Sequence, residues 1–528
     1  MFNIVSNWAA LIIQVIGHSF LLGYVLRVFR DYGLGKEEFG IFGLATSIGM
    51  GINLLSFGMS ATVVRFSAES LAAGDWKRLS DILSAARVSL MGTAVVGVTL
   101  MALVAEFGLG LLNVGVPNRP AAARLFELVA VGMGLQVIGI VYRGALYGKQ
   151  RHAQANLVAI GAEVVRVAVV VACFESEWVR LEALGLAHAG SALAMLLALM
   201  ALVRYFYPGV RLSFFRWRWS VLREMYGFGG WAMVNQASRM GLDSLSMPLI
   251  SAMPAFGPEA VAALTIPRVL SRYIVRLMRG ISAALRPVAT TFGVRGQQER
   301  VARLYRVGTR FGWALVVPVT AVVVTHIRPL IACLDPRYEA VAYVMILYVV
   351  LFVLRSVGTA AESIILGTGR IEGLALSRVA AAVLGMGGAV VIGLWTEWGL
   401  YGVVTALFLP TAVRGLVDLP LRVRRLAGVS YTVTLVRVVL PPTLAGLVPL
   451  AVGWGLRWVW WPETLPQVFL QMAAAAVAYL VTLYLFVLTP EERSMVGRLL
   501  RDRRPAREPS READSAGTGT EAEDEILD

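Results

Sequence analysis

Apolar runs of about twenty residues recur along this chain, and that is the length an α-helix needs to cross a bilayer. Such runs leave few folds open, because backbone polar groups in lipid are satisfied only within helices or closed barrels. Here the runs are too long for barrel strands. The expected fold class is an all-α polytopic membrane protein of about 14 transmembrane helices, with spans near 5–26, 40–64, 88–112, 125–147, 155–174, 183–203, 228–250, 260–284, 312–334, 340–361, 374–394, 400–420, 434–456 and 467–489. The first span begins within a few residues of Met1 without a basic leader region or a cleavage site, so it is expected to be retained.

The net charge of +14 does not point to nucleic acid, because the basic residues sit in short connections between spans. They report topology instead. With the N-terminus inside, the inner connections and tail hold 33 Lys and Arg against 9 outside, which predicts a multi-pass protein of the cytoplasmic membrane with both termini cytoplasmic. The inner connections in this reading include 286–310, 355–378 and 414–437. Trp458, Trp460 and Trp461 would then anchor the outer interface, and Trp217 and Trp219 the inner one. Cys173, Cys333 and the four histidines (His18, His152, His188, His326) show no metal-ligand spacing and read as packing residues.

Sliding the sequence by 222 residues overlays LGKEEFGIFGLA at Leu34 on FGPEAVAALTIP at Phe256, and Gly74 on Gly296. A shift of 219 overlays Gly148 on Gly367 and Arg151 on Arg370. The matches keep their order and are six spans apart. They predict two six-helix pseudo-symmetric lobes about an axis along the membrane normal, with two C-terminal helices outside the repeat. The expected units are an N-lobe with its basic linker at 1–225, a C-lobe at 226–425, the last two helices at 426–489 and a largely disordered tail at 490–528. Within that tail, EERSMVGRLLRDRR can form a basic amphipathic helix, and the acidic end EAEDEILD reads as disordered.

The eighth expected span carries Arg268, Arg272, Arg276 and Arg279, with Arg286 beyond. At 100° per residue they share an arc of roughly 80°. Four arginines facing lipid would cost on the order of 10–14 kcal/mol, so a wet, protein-lined cavity is the expected setting. The alternative is that only Arg268 is deep while the others reach the headgroups or the segment lies along the interface. In the seventh span Asn235, Gln236, Arg239 and Asp243 are polar, and Arg239 and Asp243 stand four apart, as an intrahelical ion pair would. Such a pair is either structural or a group that changes partner or protonation with the ligand. Glu163 and Arg166 form a similar pair in the fifth span, read as mutual neutralisation or a coupling site. Asn7, Gln14 and Asn53 either line the cavity or bond between helices. Glu106 and Glu127 are expected at headgroup level.

Guanidinium forks fit phosphate oxygens and stay charged, so the ligand is expected to be anionic, and a row of several sites allows a diphosphate to be held and then released. No P-loop and no long outer loop is present, which argues for a transporter without a cofactor or a catalytic residue rather than an enzyme. An ion gradient (proton or sodium), the membrane potential or substrate flux would drive it.

LGKEEFGIF at Leu34, Gly58 to Arg65, YGKQR at Tyr147, Asp243, FGPEAVAAL at Phe256, LRP at Leu285, PLIACLDPRYEAV at Pro329, LGTGR at Leu366 and GLYG at Gly399 resemble one transporter family in order and spacing. That family is the polysaccharide-export flippases, the O-antigen type of the multidrug/oligosaccharidyl-lipid/polysaccharide superfamily. The resemblance covers roughly residues 5–490. The chain departs from it at Asp335, Pro336 and Arg337, and in the number of arginines on the eighth span. The resemblance implies translocation of an undecaprenyl-diphosphate-linked oligosaccharide by alternating access, with glycan polymerases or glycosyltransferases as partners and membrane lipid around the tail of the substrate. The rival readings are a lipid II flippase and a small-molecule exporter of the same superfamily.

Overall fold

The computed structural model describes residues 2–56, 58–210, 218–368, 372–488 and 493. Side chains at 2–12, 15–16, 18–19, 227–241, 279–281, 283–284, 287, 294, 372 and 486–487 are outside that description. Asn7, His18, Trp217, Asn235, Gln236, Arg239, Arg279 and Arg370 therefore lie outside the described side chains, as does the tail beyond Arg493.

The protein is an all-helical polytopic membrane protein. Its first half comprises α1 (Phe2–Asp31), α2 (Lys36–Ile52), α3 (Met59–Ala72), α4 (Trp76–Leu103), α5 (Arg119–Gly148), α6 (His152–Glu175) and α7 (Leu181–Phe206). The second half comprises α8 (Trp219–Ala252), α9 (Pro258–Val294), α10 (Gln298–Leu334), α11 (Ala342–Leu354), α12 (Thr359–Gly367), α13 (Glu372–Trp395), α14 (Gly399–Val413) and α15 (Leu419–Ala427). Two further helical segments, Tyr431–Val459 and Leu465–Leu485, pack on α10. Among the described residues, 11 helical segments are long and apolar enough to cross a membrane. Helices α1, α8 and α9, of 30, 34 and 37 residues, also reach spanning length but fall outside that set. In α9 the arginines lower the hydropathy.

Two expected spans are broken. The second is interrupted by a 3-10 turn, Asn53–Ser56, and resumes after Gly58, whose φ of 73° is reached most readily without a side chain. The tenth is interrupted by a second 3-10 turn, Arg355–Gly358, and continues through α12. This corrects the expected inner connection 355–378. Arg355 lies within a helical span, and the true connection follows Gly367. Likewise the helix after α14 runs through a π turn, Arg414–Asp418, into α15, so Arg414 is helical rather than a loop residue.

The repeated motifs occupy matching places. Gly35 and Gly257 precede α2 and α9, and Gly74 and Gly296 both turn the chain with φ near +67° and +68°. A Cβ on Gly148 would lie 2.8 Å from Ser67 Cβ, and one on Gly367 would lie 2.8 Å from the Arg286 carbonyl and 3.1 Å from Ala289 Cβ. Ser67 and Ala289 are themselves 222 residues apart, so both halves make the same close helix crossing through equivalent glycines.

The halves meet tightly at the end opposite the basic connections. A Cβ on Gly40 would fall 1.8 Å from the Pro258 carbonyl oxygen, so α2 and α9 touch backbone to backbone. The Asn113 amide donates to the carbonyls of Ser251, Met253 and Phe256 at 2.7, 3.0 and 3.2 Å. Ser47 donates to the Ser244 carbonyl at 3.1 Å. Arg337, held by Asp335 at 2.8 Å, donates to the Leu34 carbonyl at 2.8 Å. The residues at which the chain departs from the family pattern thus make a contact between the halves. Nearer the basic end, the described hydrogen bonds between the halves include Arg78 to Glu224 at 3.2 Å and Ser89 with Tyr226 at 2.6 Å.

Candidate functional site

The arginine face of α9 is graded along the helix. Arg268 is 4% exposed, and its Nη2 donates to the Asp243 carbonyl at 2.6 Å beside Met50 of α2. Arg272 is half-buried, while Arg276 and Arg286 are exposed. Exposure at Arg276 is not exposure to lipid alone, because its Nη1 donates to Gln14 Oε1 of α1 at 3.1 Å. The neighbouring Tyr273 hydroxyl donates to the Gln14 carbonyl at 3.3 Å, and its ring lies 5.5 Å from the Arg276 guanidinium. The face therefore looks from the second half onto the first helix of the first half. A deep Arg268 with exposed Arg276 and Arg286 is a gradient common to both alternatives raised by the sequence.

Glu163 and Arg166 of α6 bond to each other, as their spacing predicts. They also stand within electrostatic reach of Tyr273, which brings them beside the arginine face. A Cβ on Gly17 would lie 3.1 Å from Glu163 Cγ, so α1 passes close enough for both helices to face α9. Asn53 is half-buried in the broken second span, and Glu106 and Glu127 are exposed near the end opposite the basic connections.

Asp243 takes its described guanidinium partner from outside its own helix. Arg355 Nη1 lies 3.2 Å from Asp243 Oδ1, with the Arg355 side chain stacked 3.6 Å over the Phe352 ring. The expected pairing with Arg239 lies outside the described side chains. Arg268 and Arg272 act on the same carboxylate. Among the described residues, the carboxylate thus pairs with Arg355 and feels Arg268 and Arg272 electrostatically, in a protein interior where attraction is little screened and an unpaired charge is costly.

Four charged residues near this site were missed as such: Arg355, Glu362, Arg378 and Arg414. They stand at the edges of apolar runs, where a charge ordinarily marks the start of a loop. The seven-residue spacing of Arg355 and Glu362, two turns of helix, was the available signal. Gly358 and Gly415 bring them together, since a Cβ on Gly415 would lie 2.6 Å from the Arg355 carbonyl and one on Gly358 would lie 2.9 Å from Gly415. The 3-10 turn and the π turn therefore pack backbone against backbone. Among the described residues, no group of three His, Cys, Asp or Glu side chains is placed to hold a metal ion.

A family model described as "Polysaccharide biosynthesis protein" matches residues 4–292. The chain is 21% identical over 512 residues to the "Uncharacterized membrane protein EpsK" of Bacillus subtilis (strain 168), covering 94% of this chain and 96% of that one. Its fold is similar to that of the lipid II flippase MurJ in an inward closed conformation, with a TM-score of 0.67, 12% identity, and 94% and 99% of the two chains covered. It is also similar to an inward-facing multidrug resistance MATE family transporter of the MOP superfamily, with a TM-score of 0.66, 16% identity, and 81% and 99% covered. The family model spans more than half of the sequence, including α1, α2, the Asp243 region and the arginines of α9. The chain belongs to the polysaccharide biosynthesis protein family and has the fold of the MOP-superfamily transporters.

Proposed function

We propose that this protein is a flippase of the cytoplasmic membrane that carries a lipid-linked anionic oligosaccharide from the inner to the outer leaflet. The observation that carries this reading is the Arg276 to Gln14 contact, 3.1 Å, which turns a cationic helix face toward the opposing half. Both termini are cytoplasmic in this reading, and the end closed by Asn113 and Gly40 is the outer one.

The diphosphate of an undecaprenyl-linked sugar is the ligand that suits such a face. Among the described arginines, Arg286 and Arg276 are exposed and meet an entering headgroup first, and half-buried Arg272 lies deeper. Guanidinium forks grip phosphate oxygens bidentately, and a row of them permits transfer from one to the next without one site so tight that release fails. Asp243 holds the deep arginines in the unloaded state and gives them up in part when phosphate arrives. Glu163 and Arg166 lie beside the route and report on it through Tyr273. A proton or sodium gradient, the membrane potential or substrate flux drives the cycle, and glycan polymerases or glycosyltransferases act beside it. The lipid tail stays in the bilayer.

The likeness to MurJ favours lipid II as the second reading. The two separate in a strain lacking this protein. Accumulation of an undecaprenyl-diphosphate-linked surface oligosaccharide supports the first, and accumulation of the peptidoglycan precursor replaces it with the second. No accumulated lipid-linked sugar of either kind contradicts both.

A further inference from the structure

Two connections that join the halves at the end opposite the basic loops are built on one plan. Asn113 and Asp335 stand 222 residues apart, as do Leu34 and Phe256, and this is the offset that overlays the two halves. Each connection continues into a 3-10 turn, Val116–Asn118 in the first half and Pro336–Val341 in the second. From the first half, the Asn113 amide donates to the Phe256 carbonyl just ahead of α9, at 3.2 Å. From the second half, Arg337 Nη1 donates to the Leu34 carbonyl just ahead of α2, at 2.8 Å. Each half therefore grips the equivalent carbonyl of the other.

The two grips differ in chemistry. Asn113 donates directly, and its amide also meets the Ser251 and Met253 carbonyls. An ionised carboxylate at the equivalent place only accepts, so Asp335 cannot make that bond itself and acts through Arg337. Asp335 is 1% exposed, and its Oδ1 accepts from Arg337 Nε at 2.9 Å and from the Arg337 backbone amide at 3.0 Å. Its Oδ2 accepts from Nη2 at 2.8 Å. This fork fixes the plane of the guanidinium and leaves Nη1 on Leu34. The first turn of α2 meets the same connection twice more, since Lys36 Nζ lies 5.5 Å from the Tyr338 ring centroid and Glu38 acts electrostatically on Arg337.

The Asp335–Arg337 fork lies wholly within the second half. Separation of the halves breaks the bond to Leu34 without parting the ion pair, and parting it would leave a buried carboxylate uncompensated. We propose that the two connections form a reciprocal clasp that releases when the protein opens at this end, and that Asp335 is its positioning residue, holding Arg337 in the orientation that reaches Leu34. Because the pair stays whole through opening, the donor is already aimed when the halves return. The proposal rests on the transport reading only for the motion. It makes no use of the transported lipid, so it can fail while that reading stands.

Spin-label distances in the full-length protein, in lipid nanodiscs without ligand, test it. The labels are placed at 176 and 397, exposed positions on opposite halves and away from the clasp, with Cys173 and Cys333 replaced by serine. Arg337→Gln and Asp335→Asn should each raise the ratio of long to short distances by roughly fivefold or more, the loss of one hydrogen bond made by a charged donor. The double variant Asp335→Asn/Arg337→Gln should go no further than either alone, because both changes remove one contact. Asn113→Ala added to Arg337→Gln should multiply the two effects. Arg337→Lys should match Arg337→Gln, since an ammonium cannot hold the fork and reach Leu34 together. A wild-type distribution in Arg337→Gln overturns the clasp. Effects of Asp335→Asn and Arg337→Gln that multiply overturn the positioning role. Should Asp335→Asn fail to fold, Arg337→Lys decides, and a wild-type distribution with lysine overturns that role.

Discussion

Arg355 reaches Asp243 at 3.2 Å and so ties a 3-10 turn in the tenth span to the eighth helix, 112 residues earlier in the chain. The contact sets the balance of charge in the second half, because Arg268 and Arg272 act on the same carboxylate.

Removing that carboxylate should be more damaging than removing the pair. Asp243→Asn leaves three guanidiniums without their shared anion, and stability is expected to fall by about 3–5 kcal/mol. The double variant Asp243→Asn/Arg355→Gln should recover part of the loss. Denaturant unfolding in detergent measures both, and strictly additive losses would show that the two side chains do not interact.

Closure of the end opposite the basic connections depends on the absence of a side chain at Gly40. Gly40→Val places carbon within the Pro258 carbonyl, which a Cβ already approaches to 1.8 Å, so α2 and α9 must separate. Asn113→Ala removes three carbonyl contacts from the same closure. Both variants should lengthen the spin-label distance between positions 37 and 257 and shift the population toward a form open at that end. Unchanged distance distributions in both would contradict the assignment of this end as a closed gate.

The repeat predicts paired sensitivities. Gly148→Val and Gly367→Val each press a side chain into a helix crossing at 2.8 Å, and each should cost roughly 1–3 kcal/mol of stability. If one position tolerates valine and the other does not, the two crossings are not equivalent in energy despite their shared geometry.

Much of this was legible in the sequence because the bilayer enforces it. Helical spans, short connections and the cationic face of α9 follow from length, hydropathy and 3.6-residue periodicity. The Glu163–Arg166 pair followed from spacing. What it sits beside did not, because Tyr273 is more than a hundred residues away. The Arg355 partner of Asp243 was out of reach for a related reason: spacing finds neighbours on one helix and is blind to Arg355, brought in by a turn that two glycines allow. Arg355, Glu362, Arg378 and Arg414 were hidden by the habit of reading a charge at the edge of an apolar run as the start of a loop. The break at Asn53–Ser56 had only the later Gly58 to announce it.

The central claim is that the arginines of α9 hold the anionic headgroup of a lipid-linked sugar. The most direct measurement is transport of an undecaprenyl-diphosphate-linked oligosaccharide into reconstituted vesicles by the wild type and by the Arg272→Ala/Arg276→Ala variant, both at matched insertion and matched Tm. The account predicts that transport by the double variant falls to the level of empty vesicles, with little change in stability, because ligand charge is lost and packing is kept. Undiminished transport by a correctly inserted double variant would contradict it.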